Sequence, residues 1–224
     1  MRYKVINKIT AMVLMIVTVL VNSVPAFANA DKTYTKEAKH WDGRMYMFTE
    51  SIDNQIYSFY GQYSKGDLKS VEIYDPLGVL ACTATIDDTG RIELYDNGII
   101  TYLYPVISTS VDQVSSTVKG SWGPWISNVY DLGSTHALSS LGLCATLSLI
   151  MGGVSLPGGA AAATAIIGYF LSIGAENIWV LHQVRYKEDE VYLYCEQKVT
   201  FYGNDECTGP HMGPYQTSQK RPLT

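Results

Sequence analysis

Beyond residue 45 the chain alternates. Tyrosine, isoleucine and valine trade places with polar residues over Gln55–Tyr63, Leu68–Tyr74, Val79–Ile86, Ile92–Leu94 and Ile99–Tyr104. A period of two is what a strand with one buried and one wet face requires. The intervening residues suit tight turns: Lys65-Gly66-Asp67, Asp75-Pro76-Leu77-Gly78, Asp87-Asp88-Thr89-Gly90 and Asp96-Asn97-Gly98 supply Gly, Asn and Asp. These side chains tolerate or stabilise turn backbone. The pattern predicts an antiparallel, Tyr-rich β meander over 45–106.

Then the pattern breaks. Residues 107–133 read as a Ser/Thr-rich linker that carries Trp122 and Trp125 around Gly123-Pro124. Between Asp131 and Glu176 there is no charged residue apart from His136, and Ser155-Leu156-Pro157-Gly158-Gly159 divides the stretch with a strong turn signal. The expectation is an apolar, Gly/Ala-rich helical hairpin over 134–182, with helices over Ser134–Val154 and Ala160–Leu181. Each would reach about 30 Å, the hydrocarbon thickness of a bilayer. Small residues recur every fourth position, as Ser140, Cys144, Ser148 and Gly152 and as Ala160, Thr164, Gly168 and Ser172. Such ridges let two helix backbones approach closely in lipid. Ser148, Gly152, Gly168 and Ser172 are therefore the expected helix-contact residues, and Trp122, Trp125 and Trp179 the expected interfacial aromatics. A β-hairpin is expected over 183–207, turning at Glu188-Asp189, and a polar, disordered tail over 208–224. The fold class is α+β.

Charge and cysteines narrow the setting. Arg2, Lys4 and Lys8 precede an apolar run from Ile9 to about Val21, and Ala28-Asn29-Ala30 follows Pro25. This is the layout of a cleavable signal peptide over 1–30, with a loose leader over 31–44. The expected protein is secreted, and membrane or cell-wall association remains open. Residues 1–30 hold three basic residues and no acid, so cleavage takes the formal charge from −5 to −8. That balance argues against nucleic acid as a partner, since phosphate binding needs clustered Lys and Arg. Cys82, Cys144, Cys195 and Cys207 all lie beyond the cleavage site. Outside the cell four cysteines allow three pairings, and Cys195 with Cys207 is the expected disulfide on proximity in sequence. Their spacing matches no metal signature.

The signal peptide ending Ala28-Asn29-Ala30, the aromatic β region, the run from Gly152-Gly153 to Gly158-Gly159-Ala160-Ala161-Ala162-Ala163 and the end Val191-Tyr192-Leu193-Tyr194 together resemble the large secreted bacteriocin-like proteins of Gram-positive bacteria, of the geobacillin type. The resemblance covers most of the chain in layout and few positions in identity. It implies antimicrobial activity on related bacteria, with no cofactor and no catalytic residues. The expected function is then permeabilisation of a target membrane, with the membrane or a surface receptor as partner and the hairpin inserting or forming a homo-oligomer. A second reading keeps the helices as core and makes the protein a cell-surface or cell-wall binding module. A third is a self-protection or developmental factor of the producing cell. Catalysis is not expected: the histidines His40, His136, His182 and His211 lack partner motifs, and there is no G-x-S-x-G, H-E-x-x-H or P-loop.

Overall fold

The structure is a computed structural model, and it describes residues 40–41, 44–52, 54–64, 67–96, 98–108 and 120–223. The signal peptide expected over 1–30 and the first part of the leader, to residue 39, lie outside the described residues, as do residues 109–119 of the expected linker.

The meander forms as the alternation demands. β1 (His40–Trp41), β2 (Arg44–Ile52), β3 (Gln55–Ser64), β4 (Asp67–Tyr74), β5 (Leu80–Ile86), β6 (Ile92–Asp96) and β7 (Ile99–Leu103) make one antiparallel sheet in sequence order, six long strands with a two-residue edge. Its turns are held by aspartates. Asp75 Oδ1 accepts from the amides of Leu77 and Val79, and Asp87 Oδ1 from those of Thr89 and Arg91. Register places Phe59, Val71, Ile73, Cys82, Ala84, Ile92 and Leu94 on the inner face, where all are buried.

The second sheet runs β12-β11-β10-β9-β8 and is also antiparallel. It holds β8 (Pro105–Ser108), β9 (Ile126–Ser134), β10 (Asn177–Glu188), β11 (Tyr192–Tyr202) and β12 (His211–Pro222). Three expectations change here. The stretch 126–133 is a strand and not linker. The hairpin assigned to 183–207 begins six residues earlier, at Asn177. The polar tail is not disordered: β12 pairs with β11 from Tyr202↔His211 to Tyr192↔Pro222. Backbone pairing with a neighbouring strand orders it despite its thin apolar content, and Pro214 and Pro222 are tolerated because the strand is an edge.

The helices are shorter than expected. α1 (Ser140–Ile150) and α2 (Gly159–Ser172) have 11 and 14 residues, about 16 and 21 Å at 1.5 Å per residue. No helix among the described residues is long and apolar enough to cross a membrane. Part of the lost length went to the second sheet, at Ser134 and at 177–181, and the rest is turn. Ser134 ends β9 and pairs with Asn177, and the Thr135 amide donates to the Glu176 carbonyl at 2.8 Å. In Asn177–Val184 the buried residues are Ile178, Val180, His182 and Val184, a period of two that only a strand can use.

α1 starts at Ser139, whose hydroxyl accepts from the Gly142 amide at 3.0 Å. It packs across β4, β5 and β6, while α2 packs on α1 and β2. The Gln197 side chain of β11 donates to the Met151 carbonyl at 3.0 Å. Leu143, Leu147, Ile166 and Phe170 join one continuous buried core with Val71 and Ile73 of the first sheet and Val180, Val199 and Phe201 of the second. The helical pair thus lies between the inner faces of the two sheets.

Candidate functional site: an aromatic and cationic sheet face

With Ile178, Val180, His182 and Val184 turned inward, alternation sends Trp179, Leu181, Gln183, Arg185 and Lys187 to the outer face of β10. Register brings Glu196 of β11 beside Arg185, Lys198 beside Gln183 and Tyr194 beside Lys187. On β12, Lys220 lies beside Tyr194 and Gln216 beside Lys198. The segment 120–125 extends this face. The Gly120 amide donates to the Glu188 carbonyl and that of Gly123 to the Tyr186 carbonyl, both at 2.8 Å, so the Trp pair is laid along β10.

The result is a tight constellation. The Arg185 guanidinium stands over two indoles, 4.7 Å from the ring centre of Trp122 and 4.5 Å from that of Trp125. Its Nε and Nη2 both donate to Glu196 Oε2, at 2.8 and 2.5 Å. The Lys198 ammonium is 4.3 Å from the Trp125 ring centre. Further along, Lys220 stands 4.9 Å over Tyr192 and Lys187 5.7 Å over Tyr194. Each such contact is worth about 0.5–2 kcal/mol, more as water is excluded. The Tyr194 hydroxyl donates to Asp189 Oδ2 at 2.8 Å. That bond raises the Tyr194 pKa, while the Val191 and Tyr192 amides hold the Asp189 carboxyl below its ordinary range.

The outer face of the first sheet is also aromatic, but it is saturated from within. Tyr46, Tyr60 and Tyr74 meet edge to face at 5.8 and 5.5 Å. Arg44 Nη1 donates to the Tyr74 hydroxyl at 2.6 Å, which donates to Glu72 Oε2 at 2.6 Å. Gln62 donates to Glu72 Oε1 at 3.3 Å. Burial, then the bond to Glu72, pushes the Tyr74 hydroxyl up to about 12.

The residues expected from the sequence are scattered differently. Trp122 and Trp125 sit in the constellation, as rings beneath cations and not as anchors beside a helix end. Trp179 is on β10, paired with Asp131 and Tyr202. It shares the face but stands six residues from Arg185, about 20 Å along the strand. The four helix-contact residues are not brought together. Ser148 is buried within α1; Gly152 lies past its end; a Cβ added at Gly152 or Gly168 would meet nothing within 4 Å; and the Ser172 hydroxyl donates to the Tyr169 carbonyl at 2.7 Å. The two helices do share a small polar contact elsewhere on those ridges, between the Ser140 and Thr164 hydroxyls at 2.8 Å.

The Cys195–Cys207 disulfide is absent, and all four cysteines are free thiols. Cys195 is mid-strand, opposite Tyr186, whereas Cys207 lies in the loop after β11 ends at Tyr202. Seven extended residues, about 23 Å, separate Cys195 from that strand end, and a disulfide needs Cα atoms within about 7 Å. Burial pushes the Cys144 thiol up to about 12 and the Cys82 thiol well above its ordinary range. Among the described residues no group of three or more His, Cys, Asp or Glu is arranged to hold a metal ion.

Sequence reasoning passed over Arg185, Glu196, Lys198 and Lys220. The signal was present in the alternation Trp179-x-Leu181-x-Gln183-x-Arg185-x-Lys187 and Tyr192-x-Tyr194-x-Glu196-x-Lys198. Assigning Trp179 and Leu181 to a helix hid it.

These features define an α+β protein of two antiparallel sheets with a helical pair between them and one aromatic, cationic outer face. A scan against protein-family models, a search of curated proteins and a search of solved structures each found no match.

Proposed function

We propose that this chain is an exported binding module that recognises a bacterial surface through the outer face of its C-terminal sheet. The observation that carries the reading is the constellation of Trp122, Trp125, Arg185, Glu196 and Lys198, which sets two large half-buried rings and two cations on one side of a sheet whose other side is core. Trp, Tyr and Arg are the residues that concentrate binding energy at recognition surfaces. A rigid sheet holds them in place, so little ordering entropy is lost on association. Purified Gram-positive cell walls test it by co-sedimentation. The expected result is that the protein sediments with the walls, and that Trp125→Ala lowers the bound fraction at least fivefold with an unchanged circular dichroism spectrum. Equal sedimentation of the two proteins, or none of either, overturns the reading.

Permeabilisation of a membrane by the helical hairpin, as in a bacteriocin-like protein, is the second reading. It is favoured by the uncharged α2, whose Leu171 is 40% exposed and is followed just past the helix end by Ile173 at 46%. It requires α1 to leave a core in which every residue from Gly142 to Leu149 is buried. Dye release from anionic liposomes tests it: Gly168→Leu should abolish release if Gly168 becomes a close helix contact in lipid, and no release by the unaltered protein ends it.

A further inference from the structure

The chemistry of the same face narrows what it binds, an inference that rests on the binding-module reading. We infer that the ligand is a non-nucleic polyanion, a surface polymer read through repeated phosphodiester groups. Three observations lead there. First, the rings are not bare. Trp125 has both Arg185 and Lys198 over it, and Tyr192 has Lys220, at 4.3–4.9 Å. A neutral sugar ring that stacked on these indole and phenol faces would have to displace the cations. A ligand that meets the cations needs no displacement and finds them braced in one orientation.

Second, the charge on this face runs against the charge of the chain. The protein carries a formal −5, yet the outer positions of β10, β11 and β12 around the constellation hold Arg185, Lys187, Lys198 and Lys220 against Glu196 alone. Among the described residues no carboxylate stands within ion-pair distance of Lys198 or Lys220, while Lys187 lies in the field of Asp189 at the hairpin tip. Glu196 takes two donors from Arg185 on a single oxygen, so it orients the guanidinium and leaves the remaining Nη1 hydrogens for a ligand. Ammonium groups act as point charges toward phosphate, and an arginine held by a carboxylate adds a directed donor.

Third, the layout is a strip and not a pocket. Lys198 and Lys220 stand on neighbouring strands, four residues apart along the register, since Lys220 pairs with Tyr194. At about 3.3 Å per residue the offset is about 13 Å, which suits an extended chain with repeated charges better than a single small anion. A nucleic acid strand has the charges too, but it gains much of its affinity by stacking bases on open aromatic faces. Here those faces are occupied.

The test uses the whole protein with three soluble probes: a poly(glycerol phosphate) polymer, dextran, and single-stranded DNA. Expected is saturable binding of poly(glycerol phosphate), weakening steeply between 50 and 200 mM salt as screening and counterion release demand. The double variant Lys198→Gln/Lys220→Gln should bind it about tenfold to thirtyfold less well, at about 1 kcal/mol per cation, with an unchanged circular dichroism spectrum at the assay temperature, even though the loss of two cation–ring contacts lowers its melting temperature somewhat. Dextran bound as well as poly(glycerol phosphate), or a double variant that binds the polymer as well as the unaltered protein, overturns the inference. Single-stranded DNA bound as tightly overturns it too, in favour of nucleic acid. Each of these leaves the binding-module reading standing if cell walls are still bound through Trp125. Failure to bind walls at all removes the reading and the inference together.

Discussion

The two helices come from one uncharged stretch and have had opposite fates. α1 is buried without interruption from Gly142 to Leu149. α2 buries Ala160, Ala163, Ile166 and Phe170 and leaves Ala161, Thr164, Gly168 and Leu171 exposed. Composition does not separate them; position does. α1 lies over the middle strands β4–β6 and is tied at its end to Gln197 of the second sheet, while α2 packs on α1 and β2. Lack of charge therefore marks a helix that is able to be surrounded, and only packing decides whether it is.

The contrast can be tested one substitution at a time. Leu147→Ala, in the sealed helix, should cost about 2–5 kcal/mol in urea unfolding; Leu171→Ser, on the exposed side of α2, should cost about 0.5 kcal/mol or less. Equal costs would mean that α1 is not enclosed. The next effect sits at the start of α2. Gly159 has φ +53°, and a Cβ there would collide with the carboxylate of Glu50. Gly159→Ala should cost about 1–2 kcal/mol from left-handed backbone strain, measured by thermal melting, since the Glu50 carboxylate, at the end of a flexible side chain, is able to swing aside. Glu50 brings its negative charge to an N-terminus that has no side-chain cap. Glu50→Gln should remove about 0.3–1 kcal/mol at low salt, and the difference should shrink as salt is added.

The far end of α1 gives a pH effect. His182 is buried, its Nε2 bonded to Gln197 Oε1 at 2.8 Å, and Gln197 donates to the Met151 carbonyl. Burial lowers the His182 pKa, with the Gln197 bond opposing it. The unfolded chain then binds a proton on His182 at a higher pH than the folded one does. Stability is full above the ordinary histidine value of about 6.5 and is lost as pH falls from there to the folded pKa. His182→Gln should flatten that part of the stability profile. A further small effect has the opposite sign. Gly168 stands mid-helix with open space where a Cβ would be, so Gly168→Ala should stabilise by about 0.5–1 kcal/mol. A destabilising result would reveal a close helix contact at Gly168.

In the first sheet β3 to β7 were legible strand by strand, whereas β1 and β2 were not singled out as strands. Its segments alternate, and Asp75, Asp87, Gly78 and Gly90 punctuate them, so local signals and the fold agree. The helical region was legible as helical but not in extent. Trp179, Val180 and Leu181 are as apolar as the helix before them, and the choice of strand comes from pairing with Ser127–Asp131, some fifty residues back. β12 was missed for a related reason. A strand rich in Gln, Thr and Ser, carrying Pro214, has little propensity of its own, and long-range backbone bonds to β11 make it. The candidate site depends on both of those pairings. Trp122 and Trp125 were singled out and placed near a helix end, whereas their neighbour is Arg185, which reaches them only once β10 exists.

One consequence follows from β12 and its loop. Residues 203–210 connect it to β11, and a peptidase that nicked this loop would leave the terminal ribbon held mostly by its ladder of amide bonds. Its release would bare one whole margin of β11, from Tyr192 to Tyr202, with a row of N–H and C=O groups seeking a mate. A clipped molecule would be a natural acceptor for the corresponding ribbon of another copy, so storage and purification would be expected to turn cleavage at this loop into clumping.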